Sequence, residues 1–145
     1  MRSTLLAGAF FVVMGCGSGD DDGILDQHQA LWEMKQPTEY VMETCGTGFS
    51  GGCTLTAVSQ GQVVAARVKF GGDWSDVDPG AQEEPVKGLF RRAHSTRDCK
   101  RTRLSFDGQY GFVADVYFDC SEEGSGEQAR CFVADSTDLS ACDGR

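Results

Sequence analysis

The spacing of apolar side chains predicts two helices. Ile24, His28 and Leu31 recur on one helical face between residues 24 and 36. Pro37 ends this segment because proline disfavours the helical conformation in the residue before it. A second helix is predicted to begin at Pro85, a residue that suits the first helical position. It carries one apolar stripe at helical spacing, made of Val86, Leu89, Phe90 and Ala93.

Alternating apolar and polar residues predict five or six strands. The segments are TEYVMETC (38–45), CTLTAV (53–58), VVAARVKF (63–70), RTRLSF (101–106), FVADVYFDC (112–120) and RCFVAD (130–135). The third segment has a predicted inward face of Val64, Ala66, Val68 and Phe70, and the fifth has one of Phe112, Ala114, Val116 and Phe118. Gly61 in SQGQ marks a hairpin turn between the second and third segments.

The order of these elements predicts an α+β fold. One helix, three strands, a second helix and two or three strands follow one another, and hairpin connections imply antiparallel pairing. We therefore predict a two-layer, disulfide-stabilised domain over residues 24–145. It would have an antiparallel sheet of 5–6 strands, with both helices on one face.

The first residues of the chain predict export and lipid attachment. Arg2 precedes an apolar run, residues 5–14, with the length of a signal-peptide core. The run Val13-Met14-Gly15-Cys16 resembles a bacterial lipobox, which implies that residues 1–15 are removed and that Cys16 is diacylated. Residues 16–23 would then be the lipidated cysteine and a flexible acidic tether. Because no Asp follows Cys16 directly, the resemblance implies the outer membrane. An ordinary signal peptide would instead leave Cys16 as a spare thiol.

The other cysteines predict a disulfide framework. Six remain once Cys16 is set aside: Cys45, Cys53, Cys99, Cys120, Cys131 and Cys142. An even number in an exported chain is typical of disulfides, and six cysteines allow 15 pairings among which sequence does not choose. The local spacing favours Cys45–Cys53, Cys120–Cys131 and Cys99–Cys142. The chain lacks a closely spaced cysteine pair, which argues against zinc, and we predict no metal or cofactor.

The charge of the chain excludes one class of partner. The formal net charge is -9, and it becomes -10 when residues 1–15 are removed with Arg2, which argues against nucleic acid. Seven basic residues nevertheless lie close together: Lys87, Arg91, Arg92, Arg97, Lys100, Arg101 and Arg103. This cluster predicts either a surface that faces anionic lipid or the solvated side of a helix.

Several segments together resemble a known family. They are Trp32, Tyr40, the pair Cys45 and Cys53, SQGQVV, VKGLF and SFDGQYGFVADVYFD. Their order is similar to that in bacterial secreted proteins and lipoproteins catalogued as a domain of unknown function, number 6174. The resemblance spans residues 27–139, but this chain spaces its cysteine pair more widely and has Val113 where proline is usual.

The family resemblance implies an α+β envelope domain without an established activity. The matching residues would then be scaffold. Trp32 would fill the core, and Tyr110 and Phe112 would cover a hairpin. Three glycines would supply turn conformations: Gly61, Gly108 and Gly111.

The residues suited to catalysis or metal binding lack a recognisable motif. His28 and His94 are potential general bases, but neither has a serine or cysteine nucleophile at a motif spacing. An acidic loop contains Asp73, Asp76, Asp78, Glu83 and Glu84, whose oxygens suit calcium, although their spacing does not match an EF-hand.

These observations favour a non-enzymatic lipoprotein of the bacterial cell envelope. We predict no catalytic residues, membrane attachment through Cys16, and binding to an envelope protein or anionic lipid through loops or a sheet face. Phe49 and Trp74, which lie in predicted loops, are the candidate contact residues. The alternatives are a cell-envelope hydrolase that uses His28 or a carboxylate, and a calcium-binding module.

Overall fold

The computed structural model describes residues 21–48, 51–95, 100–119 and 124–143. In these residues it contains two α-helices, seven strands and two short 3₁₀ helices. In chain order these are α1 (Asp21–Lys35), β1 (Glu39–Gly48), β2 (Cys53–Ser59), β3 (Gln62–Lys69), β4 (Ser75–Val77), a 3₁₀ helix (Pro79–Ala81), α2 (Pro85–His94), β5 (Lys100–Phe106), β6 (Val113–Asp119), β7 (Ser125–Ala134) and a second 3₁₀ helix (Leu139–Ala141).

All seven strands form one antiparallel sheet in the order β4-β3-β2-β1-β7-β6-β5. The α+β class and the antiparallel pairing are therefore confirmed, but the predicted count of five to six strands is too low. The strand that the prediction lacked is β4, only three residues long and placed inside the predicted acidic loop. Three residues are too few to show alternation, and β4 is held by pairing with β3 and by the ion pair of Asp76 with Arg67 (2.8 Å).

Both helices contribute to a core on one face of the sheet. Trp32 of α1 and the predicted stripe of α2 pack there against residues that include Tyr40 and Met42 of β1. Pro85 and Glu84 set the start of α2. Pro85 is its first residue, and the carboxylate of Glu84 accepts hydrogen bonds from the backbone N–H groups of Val86 and Lys87.

The opposite face carries a second, smaller core. Val41 alternates with Tyr40 and Met42 along β1, so its side chain points away from the helices. It belongs to a cluster of Val41, Leu55, Ala57, Cys131 and Cys142, flanked by Ala65, Trp74, Val133 and Leu139. The C-terminal segment thus covers part of the face that the prediction left bare.

The predicted inward face of the third segment is wrong at both ends. Val64 is 49% exposed and Phe70 is 80% exposed, whereas Ala66 is buried. A β-bulge is the cause at one end, because Ala57 pairs with Ala65 while Val58 pairs with Val63, which leaves Val64 as an extra residue. Phe70 lies one residue beyond the end of β3.

Two disulfides join described cysteines. Cys45–Cys53 confirms the prediction, and these residues also face each other in the β1–β2 ladder. The second disulfide is Cys131–Cys142, so the predicted pairs Cys120–Cys131 and Cys99–Cys142 are wrong. Cys131 lies within β7, where its side chain joins the second core, and the second 3₁₀ helix brings Cys142 to the same cluster. Cys99 and Cys120 lie outside the described residues.

The even number of cysteines leads to an expected third cross-link. Two disulfides use four of the six, and Lys100 and Asp119, the chain neighbours of Cys99 and Cys120, are direct partners across β5 and β6. We expect non-reducing peptide mapping of the exported protein to find Cys99 and Cys120 in one linked peptide. Free thiols at these two positions would contradict this expectation.

Two of the three turn glycines take the implied conformation. Gly61 and Gly111 have positive φ angles of 75° and 82°, whereas Gly108 is not among the positive-φ glycines of the described residues. Gly111 also makes room for α1, because a Cβ atom there would lie 2.8 Å from Cδ2 of Leu31. A left-handed backbone and this close approach together restrict the position to glycine.

Candidate functional site

One end of the sheet gathers the features suited to binding, and we call it the disulfide end. There Gly48 at the end of β1 faces Ser125 at the start of β7, and Cys53 at the start of β2 faces Lys69 at the end of β3. The Cys45–Cys53 disulfide joins β1 to β2 beside these pairs. The loops at this end therefore leave a cross-linked sheet, which restricts their motion.

Among the described residues, Phe70 is the most exposed aromatic residue at the disulfide end. Its side chain is 80% exposed, yet the ring lies close to Gly52, where an added Cβ atom would be 2.4 Å from Cε1. Gly71 follows in a left-handed conformation (φ 76°), so the chain turns away directly after the ring. The absence of a side chain at Gly52 leaves room for the ring, and most of the ring stays open to a partner.

Trp74 packs against the second core. It is half-buried, and Nζ of Lys69 lies 5.7 Å from the centroid of its ring, a cation–π distance. Phe49, the other predicted contact residue, lies outside the described residues. The structure thus connects Trp74 to this end of the sheet through Lys69, and the role of Trp74 in binding stays a prediction.

Sequence reasoning missed Phe70 because it continued the alternation of β3 by one residue too many. The signal was present in the chain, since Phe70 is followed by Gly71 and Gly72. Consecutive glycines mark a turn, and they place the preceding residue at the end of a strand rather than within it.

His28 is a packed histidine. Its ring stacks on Phe106 with centroids 3.6 Å apart, and Nδ1 is buried without a hydrogen-bond partner. Burial lowers the pKa of His28, and a hydrogen bond to the Gly111 backbone opposes this effect. Because a general base needs an orienting partner and a nucleophile, the surroundings of His28 within the described residues do not resemble a catalytic site.

The lowered pKa of His28 leads to a stability prediction. The pKa of His28 is lower in the folded protein than its unfolded value of 6.5, so the folded protein binds a proton there less readily. The protein is therefore most stable, as far as His28 is concerned, above pH 6.5, and this stability is lost as the pH falls through the folded pKa. His28→Phe keeps a ring against Phe106 but cannot bind a proton. We therefore expect the free energy of unfolding of this variant to fall less than that of the wild type between about pH 7.5 and about pH 5. Urea denaturation of both proteins at each pH measures this. An unchanged pH dependence in the variant would contradict the assignment to His28.

The acidic residues of the predicted calcium loop bind separate partners. Asp76 pairs with Arg67, and Asp78 accepts a hydrogen bond from the backbone N–H of Gly80 at 2.9 Å. Glu83 pairs with Arg91 at 2.8 Å, which lowers the pKa of Glu83. Glu84 caps α2, so four of the five named carboxylates are engaged locally.

Glu43, Cys45 and Cys53 are residue types that bind metals, but the two cysteines are not free to do so. A carboxylate oxygen of Glu43 and the sulfurs of Cys45 and Cys53 lie within 4.8 Å of one another. The two sulfurs are joined in a disulfide, and a disulfide offers no thiolate ligand.

Three arginines of the basic cluster have acidic partners. Arg91 pairs with Glu83, Arg92 lies 3.9 Å from Glu127, and Arg103 pairs with Asp115. A guanidinium N–H of Arg101 donates a 2.7 Å hydrogen bond to the carbonyl of Ala93. Arg97 lies outside the described residues. Acidic side chains thus lie beside three of these arginines and interrupt the positive charge that the sequence concentrates here.

An open cleft of about 390 Å³ lies near the opposite end of the sheet. It is lined by the β2–β3 turn, the first 3₁₀ helix and the start of α2, including Glu84 and Lys87. Burial raises the pKa of Glu84, while the hydrogen bonds from the backbone N–H groups of Lys87 and Val86 oppose this effect. Because the carboxylate already caps α2, the cleft lacks a free acidic group from this residue.

No protein-family model matches the sequence, and no curated protein shows significant similarity to it. Within the described residues, neither helix combines the length and apolar character needed to cross a bilayer.

Proposed function

We propose that the chain is a non-enzymatic, lipid-anchored domain of the bacterial cell envelope that binds through its disulfide end. The observation that carries this proposal is Phe70, which is 80% exposed and held against Gly52 beside the Cys45–Cys53 cross-link. An aromatic ring on a cross-linked scaffold contributes contact area at little entropic cost, which is typical of binding residues.

The anchoring part of the proposal is supported by sequence and by the disulfides. The lipobox resemblance selects Cys16, and the two described disulfides fit an oxidising compartment outside the cytoplasm. The resemblance to the secreted proteins and lipoproteins of domain of unknown function number 6174 remains part of this proposal, as does the outer membrane, which rests on the residue after Cys16.

The binding part is favoured over catalysis by the surroundings of the candidate bases. His28 is stacked on Phe106, and His94 lies 3.9 Å from Asp26 of α1, a contact between two helices. The carboxylates of the acidic loop hold separate local partners. No observation in the described ranges specifically favours the hydrolase or the calcium-binding module.

The anchor is tested by replacing Cys16 with alanine. We expect wild-type protein in the membrane fraction of its native host, with two acyl chains on Cys16 by intact-mass analysis, because several chains are needed for stable attachment. We expect Cys16→Ala to move most of the protein out of that fraction. Membrane association that is unaffected by the substitution would contradict lipid anchoring at this residue.

The binding surface is tested by site-specific photo-crosslinking in the native host. Benzoylphenylalanine in place of Phe70 is expected to label the binding partner, whether that partner is lipid or an envelope protein. The same group in place of Met34, which is 79% exposed on α1, serves as the control. Equal labelling from both positions would show that Phe70 is merely exposed.

A further inference from the structure

We propose that the disulfide end faces the bilayer that holds Cys16, with the ring of Phe70 in the lipid–water interface. This inference rests on the proposed lipid anchor and names the partner of the proposed site. The partner is the membrane surface itself, rather than another protein.

The first step is the direction of α1. Its C-terminal part lies at the end of the sheet opposite the disulfide end, since Trp32 contacts Tyr40 at the start of β1 with ring centroids 5.5 Å apart. Lys35, the last residue of α1, donates a 3.3 Å hydrogen bond to the carbonyl of Gln109, which precedes β6. One turn before Trp32, His28 stacks on Phe106 at the end of the edge strand β5, so towards its N-terminus the helix crosses the sheet from β1 to β5. Its direction along the strands is given by Asp26.

The second step is the position of Asp26. Its carboxylate lies 3.9 Å from Nε2 of His94, the last residue of α2. That end of α2 reaches the disulfide end, because a guanidinium N–H of Arg92 donates a 3.4 Å hydrogen bond to Ser125, the partner of Gly48. Five residues of α1 precede Asp26, and they extend about 7.5 Å further in the same direction at 1.5 Å per residue.

The third step is the length of chain between the anchor and α1. Five residue-to-residue steps separate Cys16 from Asp21, the first residue of the helix. Fully extended, they span at most about 18 Å. The anchor therefore keeps the start of α1 within about 18 Å of Cys16, whereas Met34 lies farther from the anchor along α1.

The chemistry of the disulfide end suits an interface of headgroups and acyl chains. Phe70 offers an exposed aromatic ring, and Lys69 beside it has an apolar stem with a charged tip. Phe is among the residues that enter the boundary between headgroups and acyl chains in segments lying at a membrane interface. Asp73 lies in the same loop, so the surface is of mixed charge and the apolar ring, rather than a uniform basic patch, is the membrane contact.

The experiment uses the lipidated mature protein in vesicles of phosphatidylethanolamine and phosphatidylglycerol with brominated acyl chains, which quench tryptophan fluorescence. The variants are Phe70→Trp and the matched control Met34→Trp, which replace residues of almost equal exposure at opposite ends of the domain. Wild-type protein supplies the signal of Trp32 and Trp74. After its subtraction we expect quenching at position 70 to exceed quenching at position 34 by about threefold or more, because interfacial groups lie about 5–10 Å deep.

Co-sedimentation with the vesicles reports on the anchor independently. Sedimentation together with preferential quenching at position 70 supports the proposal. Sedimentation with equal quenching at positions 70 and 34 overturns the membrane-facing orientation and leaves the lipid anchor intact. Failure to sediment overturns both. A discrete protein adduct at position 70 in the native host, in place of lipid adducts, also overturns the assignment of the bilayer as partner.

Discussion

Replacing Trp32 with alanine is expected to lower the free energy of unfolding by about 3–5 kcal/mol, the usual cost of removing a buried large aromatic side chain. Trp32 is 4% exposed and lies at the centre of an aromatic group. Its ring meets those of Tyr40, Phe112 and Phe132 edge-on, at centroid distances of 5.5, 5.8 and 6.1 Å. The substitution therefore removes both buried area and favourable ring geometry, and it weakens the packing of α1 on the sheet.

Met34 provides the matched control because it lies two residues away on the same helix with 79% exposure. Met34→Ala is expected to change the free energy of unfolding by no more than about 0.5 kcal/mol, as is usual for exposed positions. Urea denaturation of the three proteins measures both effects. If Trp32→Ala lowers the free energy of unfolding as little as Met34→Ala does, the central place given to Trp32 in the core is wrong.

The helices and most strands were predictable because their signals are local. The spacing of Val86, Leu89, Phe90 and Ala93 predicts a buried stripe, and all four residues are buried in the structure. Pro85 marks the start of α2, and this signal can be read without knowing which segments pack against the helix. Trp32 was assigned to the core through the family resemblance, and its burial agrees with that assignment.

The rest depends on pairing between distant segments. The three residues of β4 become a strand only because β3 lies beside them. The bulge at Val64 changes which β3 side chains face the helices, and nothing within residues 63–70 signals it. A one-residue change in register moves side chains to the other face of a sheet. Both errors therefore arise because the sequence does not show how β3 pairs with its neighbouring strands.

The candidate site was only partly predictable for the same reason. The sequence placed aromatic residues in loops, but it did not show that Phe70 lies over Gly52, a contact between segments 18 residues apart. Nor did it show that His28 packs on Phe106, which decides its environment. Contacts of this kind arise from the folded sheet and not from the spacing of residues along the chain.

The pairing of cysteines leads to the second large expected effect. Replacing Cys131 and Cys142 together with alanine is expected to lower the free energy of unfolding by about 2–4 kcal/mol. Their disulfide spans 11 residues and fixes the C-terminal segment, including Leu139, over Val41 and Leu55 of the second core. Without it the segment has more freedom in the unfolded chain and covers these apolar residues less firmly in the folded one.

Cys45 and Cys53 make an informative comparison, because their disulfide spans a similar eight residues but joins strands that are already paired with each other. Loop closure contributes almost equally to both cross-links, since its entropy changes only slowly with loop length. The loss of Cys131–Cys142 should therefore be the more destabilising, and it alone should expose the C-terminal segment to limited proteolysis. If removing Cys45–Cys53 costs as much stability, or if the C-terminal segment stays protected without Cys142, the disulfide is not what holds the second core together.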